Sequence, residues 1–313
     1  MKKNYISLLF ILVSVTSFSQ VTTAFTKENV AINHLLNGSL YTPSQQNKKL
    51  NLVILIAGSG PTDRDGNQMG LANNSLKLLA EALANNGIAV YSYDKRIFAQ
   101  MASGKLDEAS LSFDNFIDDT KAVLLHFKNQ KKYHSITVAG HSEGALIGMV
   151  AANGNADAYI SIAGAGRPID EVLVEQIEKQ APFLKEEVEK NLATLKSGNT
   201  FELKNQMLAS LFRASVQPYM ISWIKYNPQT EIKKLQIPTL LINGDKDIQV
   251  SVQDAQLLQQ AKPDAQLKII PNMNHVFKEI KGDDAENKAS YTNPDLPIAT
   301  DLSQLITTFI KSI

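Results

Sequence analysis

Gly140-His141-Ser142-Glu143-Gly144 is a G-x-S-x-G pentapeptide, and its two glycines permit a sharp strand-to-helix turn that strains the serine and lifts its hydroxyl clear of a sheet. Bulk at either glycine would block the turn. The pentapeptide lies between a β-branched run, Ile136 to Gly140, and a helix-forming run, Ala145 to Ala152, which is the setting in which the motif carries a nucleophile. A hydroxyl attacks poorly until a positioned base takes its proton, so a histidine is required elsewhere in the chain. In the chain order that accompanies this turn, a carboxylate and then the histidine follow the serine. Of the five histidines, His34, His126, His134, His141 and His275, only His275 lies beyond His141, which is fixed beside the nucleophile. His275 stands in the polar run PNMNHVF directly after the strand-like LKII, a place from which a side chain folds over the carboxyl edge of a sheet.

The remaining parts of an acyl-transfer site follow from what this pair needs. A carboxylate must fix the imidazole tautomer and stabilise the imidazolium, and NGDKDIQV after the strand-like TLLIN offers Asp245 and Asp247. Asp247 is preferred because it lies further beyond the strand end; Asp245 reads as a turn residue. Backbone N–H groups must face the developing oxyanion, each worth about 2.7–4 kcal/mol. Glu143, directly after the nucleophile, supplies one amide. The second is expected from the glycine-rich AGSGPTDRDG, from Ser59 or alternatively Gly60. That loop lacks the Gly-Lys-Ser/Thr ending and the G-x-G-x-x-G spacing of phosphate-binding loops.

Such residues need a rigid sheet to position them, and the hydrophobic pattern provides one. Strand-like runs at Leu50–Ala57, Ile88–Asp94, Ile136–Gly140, Ala158–Ser161, Thr239–Asn243 and Leu267–Ile270 alternate with helical spacing at Ser75–Asn86, Phe113–Gln130, from Glu143, at Ser251–Ala261 and at Pro297–Ile313. This alternation predicts an α/β fold, a mostly parallel central sheet covered by helices on both faces, with Leu36–Pro43 as an antiparallel edge strand. From Arg167 to Lys234 no strand-like run occurs, while Ile177, Leu184, Val188, Leu192 and Leu195 recur at helical spacing. This stretch reads as a helical cap inserted after the sixth strand. Phe212, Tyr219, Met220 and Trp223 within it suit either cap core or an apolar acyl pocket.

The chain opens with Lys2 and Lys3 and an apolar run of about ten residues, Ile6 to Val15, followed by small Ser17 and Ser19. Residues 1–19 are therefore expected to be a signal peptide and 20–313 an exported domain, periplasmic or secreted, with no stable membrane insertion after cleavage. The sequence holds no cysteine, which excludes disulfides, thiolate metal sites and cysteine catalysis. Lys plus Arg and Asp plus Glu both total 31, a balance that speaks against a nucleic-acid partner. Nothing in the pattern calls for a metal or a cofactor.

With these residues in place the chain resembles bacterial esterases of the α/β-hydrolase superfamily, of the dienelactone-hydrolase-like and serine-aminopeptidase-like kinds. The resemblance runs from about Leu36 to the C-terminus and rests on GSGPTDRDGN at Gly58–Asn67, YDKR at Tyr93–Arg96, GHSEG at Gly140–Gly144, INGDKDIQV at Ile242–Val250 and NHVF at Asn274–Phe277. It implies the α/β-hydrolase fold and cleavage of small carboxylic esters, and it favours Asp247, which occupies the aspartate of the Gly-x-x-Asp-x-x-Val pattern. Two positions depart from it: Ala57 stands where histidine commonly precedes the oxyanion-loop glycine, and Ile97 where glycine commonly follows YDKR. Asp63 and Arg64 read as an ion pair that holds the loop. The expected activity is that of a serine esterase with a small-molecule ester substrate; a peptidase or thioesterase would use the same triad, and a non-catalytic exported binding protein the same fold.

Overall fold

This computed structural model describes residues 24–44 and 49–313, so the expected leader at 1–19 lies outside the described residues. The strands are β1 (Phe25–Ala31), β2 (Asn37–Pro43), β3 (Leu52–Ile56), β4 (Ala89–Tyr93), β5 (Ile136–His141), β6 (Ala158–Ile162), β7 (Thr239–Gly244) and β8 (Gln266–Ile270). They form one sheet in the order β1-β2-β4-β3-β5-β6-β7-β8. Every residue of β3, β4, β5 and β6 is buried, as the continuous apolar runs require of strands covered on both faces. Pairing is parallel from β4 through β8, while β2 runs antiparallel to both β1 and β4.

β2 is thus not the edge, contrary to the sequence expectation. β1 covers it, residue for residue from Phe25 opposite Pro43 to Ala31 opposite Asn37. FTKENVA is largely exposed on both faces, so the strand has no apolar alternation to announce it and is held by backbone pairing.

Before β6 come the helices α1 (Ser75–Asn85), α2 (Arg96–Ala102), α3 (Phe113–Gln130) and α4 (Glu143–Ala152). Between β6 and β7 lie α5 (Ile169–Gln180), α6 (Lys185–Lys196), α7 (Ala209–Phe212), α8 (Gln217–Ile224) and α9 (Pro228–Ile232); α10 (Val252–Ala261), α11 (Asp284–Ser290) and α12 (Thr300–Lys311) complete the chain. α1 and α12 cover one face of the sheet, with Leu79, Leu83, Leu302 and Ile306 against Val53, Leu55 and Ile160. α3, α4 and α10 cover the other, with Phe127, Ile147 and Leu258 against Ile54, Val138 and Leu241. Burial of each such aliphatic side chain contributes roughly 1.5–3 kcal/mol.

The helices between β6 and β7 enclose an apolar centre of their own, built on Val188, Leu192, Leu195, Phe212 and Met220. They are tied to the sheet domain at the start of α3. Ser112 and Asn115 form a reciprocal cap there, and the Phe113 amide donates to Ser222 Oγ of α8 at 2.8 Å. Among the described residues no helix is long and apolar enough to cross a membrane.

Candidate active site

Ser142 sits between β5 and α4 with φ 55° and ψ −120°, a strained conformation that a non-glycine residue holds only where its surroundings impose it. Packing imposes it here. A Cβ on Gly140 would lie 2.0 Å from the Gly144 carbonyl oxygen, and one on Gly144 would lie 2.5 Å from the carbonyl oxygens of Ile56 and Ala57. The second contact presses the turn against the end of β3 and the glycine-rich loop. The Ser142 amide is anchored by donation to the Ile162 carbonyl at 2.9 Å.

Asp247 and His275 meet where the loops after β7 and β8 converge. His275 Nδ1 donates to Asp247 Oδ2 at 2.8 Å, which leaves Nε2 as the ring's acceptor. The other oxygen, Asp247 Oδ1, accepts from the amides of Gln249 (2.8 Å) and Val250 (2.9 Å), so the buried carboxylate is fixed on both sides. Asp245 does something else, accepting from the Asn272 amide at 2.6 Å and tying the two loops together. Asn274 was not anticipated by the sequence reading. Its side chain accepts from the amides of Val276 and Lys278 and donates to Asn287 Oδ1 and Ser290 Oγ, and Asn287 in turn donates to the Lys246 carbonyl. The histidine loop and the aspartate loop are thereby joined through α11.

His275 reaches the serine turn through His141. His141 Nε2 donates to the His275 carbonyl at 2.9 Å, and the two rings lie 4.7 Å apart. Burial, and then the neighbouring His275, push the His141 pKa well below the usual histidine range, so this ring stays neutral. Among the described residues no hydrogen bond joins Ser142 to His275.

Ser59 and Gly60 stand beside the serine in the loop after β3. A Cβ on the preceding Gly58 would sit 3.3 Å from Ser142 Cβ, so the loop passes directly over the turn. Among the described residues the amides of Ser59, Gly60 and Glu143 meet no acceptor. The Asp63–Arg64 pair expected from sequence is not formed. Arg64 instead grips Asp94 with its amide (2.8 Å), Nε (3.0 Å) and Nη2 (2.6 Å), while Asp63 accepts from the amides of Asp65 and Asn67 within its own turn. Asp63 is occupied within its own turn, which the Gly66 amide closes on the Asp63 carbonyl at 3.1 Å, while Asp94 after β4 receives the Arg64 amide on Oδ1 and both Nε and Nη2 on Oδ2.

YDKR therefore anchors three different elements: Asp94 holds the glycine-rich loop, Arg96 holds Asp119 of α3 through two 2.7 Å bonds, and Lys95 reaches the serine turn. Lys95 Nζ lies 2.6 Å from Glu143 Oε2, both side chains almost fully buried. Tyr219 of α8 donates its hydroxyl to the other Glu143 oxygen. Burial, reinforced by the Glu143 charge, raises the Tyr219 pKa well above the usual phenol range, so it remains a donor.

A cavity of about 330 Å³ opens onto Ser142, within the size range of small-molecule sites. Ser59, Gly60 and Glu143 line it, together with the apolar Phe116, Leu146, Val172, Met220 and Trp223 and with Tyr219. Ile97 also lines it, on α2, a helix absent from the sequence reading. Phe212 does not; it is fully buried among the cap helices.

Residues 70–217 match the family model described as serine aminopeptidase, S33. Esterase EstD of Thermotoga maritima is 28% identical, covering 76% of this chain and 57% of that protein, so the chain spans little more than half the length of the curated relative it matches. Est1E from Butyrivibrio proteoclasticus superposes with a TM-score of 0.57 at 16% identity, covering 91% of this chain and 99% of that one. A dienelactone hydrolase from Anabaena variabilis superposes with a TM-score of 0.51 at 16% identity, covering 92% and 98%. Both likenesses are of fold.

Proposed function

We propose that this chain, which has the α/β-hydrolase fold, is a serine hydrolase that cleaves carboxylic esters of small molecules through an acyl-enzyme. Ser142 attacks the ester carbonyl. His275 Nε2 takes the serine proton and passes it to the leaving alcohol, while Asp247 keeps the proton on Nδ1 and stabilises the imidazolium. The tetrahedral oxyanion is met by the Glu143 amide and by that of Ser59, with Gly60 as the alternative. Water, deprotonated by His275, then releases the acid and restores the serine. Hydrogen bonds of this kind are often long before substrate binds and tighten in the reacting complex. The observation that carries the proposal is the 2.8 Å contact between His275 Nδ1 and Asp247 Oδ2, which fixes the tautomer a general base requires. The leader-like residues 1–19 support an exported enzyme that meets its substrate outside the cytoplasm.

The match to serine aminopeptidases favours a second reading, an amide bond in place of the ester. Hydrolysis of p-nitrophenyl esters of increasing acyl length, beside aminoacyl p-nitroanilides, separates the two. The proposal expects ester turnover that falls by about 10⁴-fold or more in both Ser142→Ala and His275→Ala. Turnover of anilides alone would replace the esterase with the peptidase, and ester turnover that survives Ser142→Ala would refute both.

A further inference from the structure

A carboxylate stands in an unfavourable place beside this nucleophile. The Glu143 amide is the donor assigned above to the oxyanion, yet the side chain of the same residue is a buried acid, about 1% exposed. A fixed negative charge one residue from the nucleophile opposes the negative charge that the reaction must create, and in a water-poor site little solvent screens it. The acid has a structural use. Through Tyr219 it gives cap helix α8 an anchor on the serine turn. Its charge is met by Lys95, whose ammonium is itself 5% exposed at the side chain, 2.6 Å from Glu143 Oε2 and 5.1 Å from the centre of the Phe116 ring.

We propose that Lys95 is a charge-compensating residue of the oxyanion site: it cancels the Glu143 carboxylate, so that the cap can be anchored at the nucleophile without weakening oxyanion stabilisation. The inference rests on the serine-hydrolase reading. Lys95 and Glu143 form a single neutral unit, contributed by the end of β4 and by the first turn of α4, and Tyr219 joins it to the cap. Its two halves act on the oxyanion with opposite sign. A purely structural ion pair would have no such asymmetry, because removal of either partner strands a buried charge at similar cost.

The test is pre-steady-state acylation by a p-nitrophenyl ester in the wild type, Lys95→Met, Glu143→Gln, the double variant and Ser142→Ala, with thermal melts to establish the folded fraction. Lys95→Met is expected to slow acylation by about 10²-fold, the scale set by loss of one oxyanion contributor, with little change in KM. Glu143→Gln should lose far less than Lys95→Met, and the double variant should recover to near the Glu143→Gln rate. Equal losses in the two single variants, or a double variant as slow as Lys95→Met, would overturn the inference while leaving the triad standing. Should Lys95→Met fail to fold, Glu143→Gln and the double variant decide: equal rates in the two support the compensation, and a double variant slower than Glu143→Gln refutes it. Acylation that persists in Ser142→Ala removes the underlying reading and this inference with it.

Discussion

His141 is the residue whose role is least visible in its own motif position. G-x-S-x-G tolerates many side chains there, yet this ring spans from the serine turn to the His275 carbonyl and packs edge-on against Phe277 at 4.8 Å. Its depressed pKa has a consequence for stability. The unfolded chain takes up a proton at His141 below about pH 6.5, the ordinary histidine value, while the folded protein does not. Stability from this group is therefore complete above that pH and is lost as the pH falls below it. His141→Gln, which keeps a donor but cannot titrate, should flatten the decline in urea midpoint between pH 7.5 and 5; an unchanged slope would assign the decline to other groups. The pairing of His275 with Asp247 was legible because chain order leaves few candidates. Lys95 and Asn274 lay within the YDKR and NHVF stretches and Tyr219 among the pocket candidates, but their bonds to Glu143 and Asn287 were not legible, since only the fold brings those partners near.

At the scale of elements, the serine turn is a contact between three backbones, not a property of β5 and α4 alone. Gly144 faces the carbonyl oxygens of Ile56 and Ala57 at the end of β3, so the serine turn and the glycine-rich loop are set against each other. Gly144→Ala adds a methyl where backbone atoms cannot yield, and it should cost about 1–3 kcal/mol of stability together with more than tenfold in kcat. A variant with unchanged melting temperature and unchanged kcat would show that the loop is positioned otherwise. Elements with a buried face were read correctly from periodicity, α3 over Phe113–Gln130 among them. β1 and α2 were missed because both are short and neither carries a fully buried face: β1 is largely exposed, and α2 has no fully buried residue. The Arg64 partner was misassigned for a related reason, since Asp94 lies 30 residues away and only the sheet brings it near.

For the whole molecule, the sheet domain carries Ser142, Asp247 and His275 and the helices between β6 and β7 supply much of the cavity wall. Trp223 stacks on Phe113 at 5.5 Å and 9° and faces the cavity, so Trp223→Ala should shift preference toward longer or bulkier acyl groups, read as kcat/KM across an ester series. A parallel drop for all substrates would make Trp223 a packing residue only. The central claim, that Ser142 is activated by His275 to form an acyl-enzyme, is tested most directly by intact-mass and peptide mapping after exposure to an alkyl fluorophosphonate, which phosphonylates only an activated serine. One adduct on the peptide containing Ser142, lost in Ser142→Ala and formed far more slowly in His275→Ala, is the result this account predicts. An unlabelled protein, or a label on another residue that persists in Ser142→Ala, would contradict it.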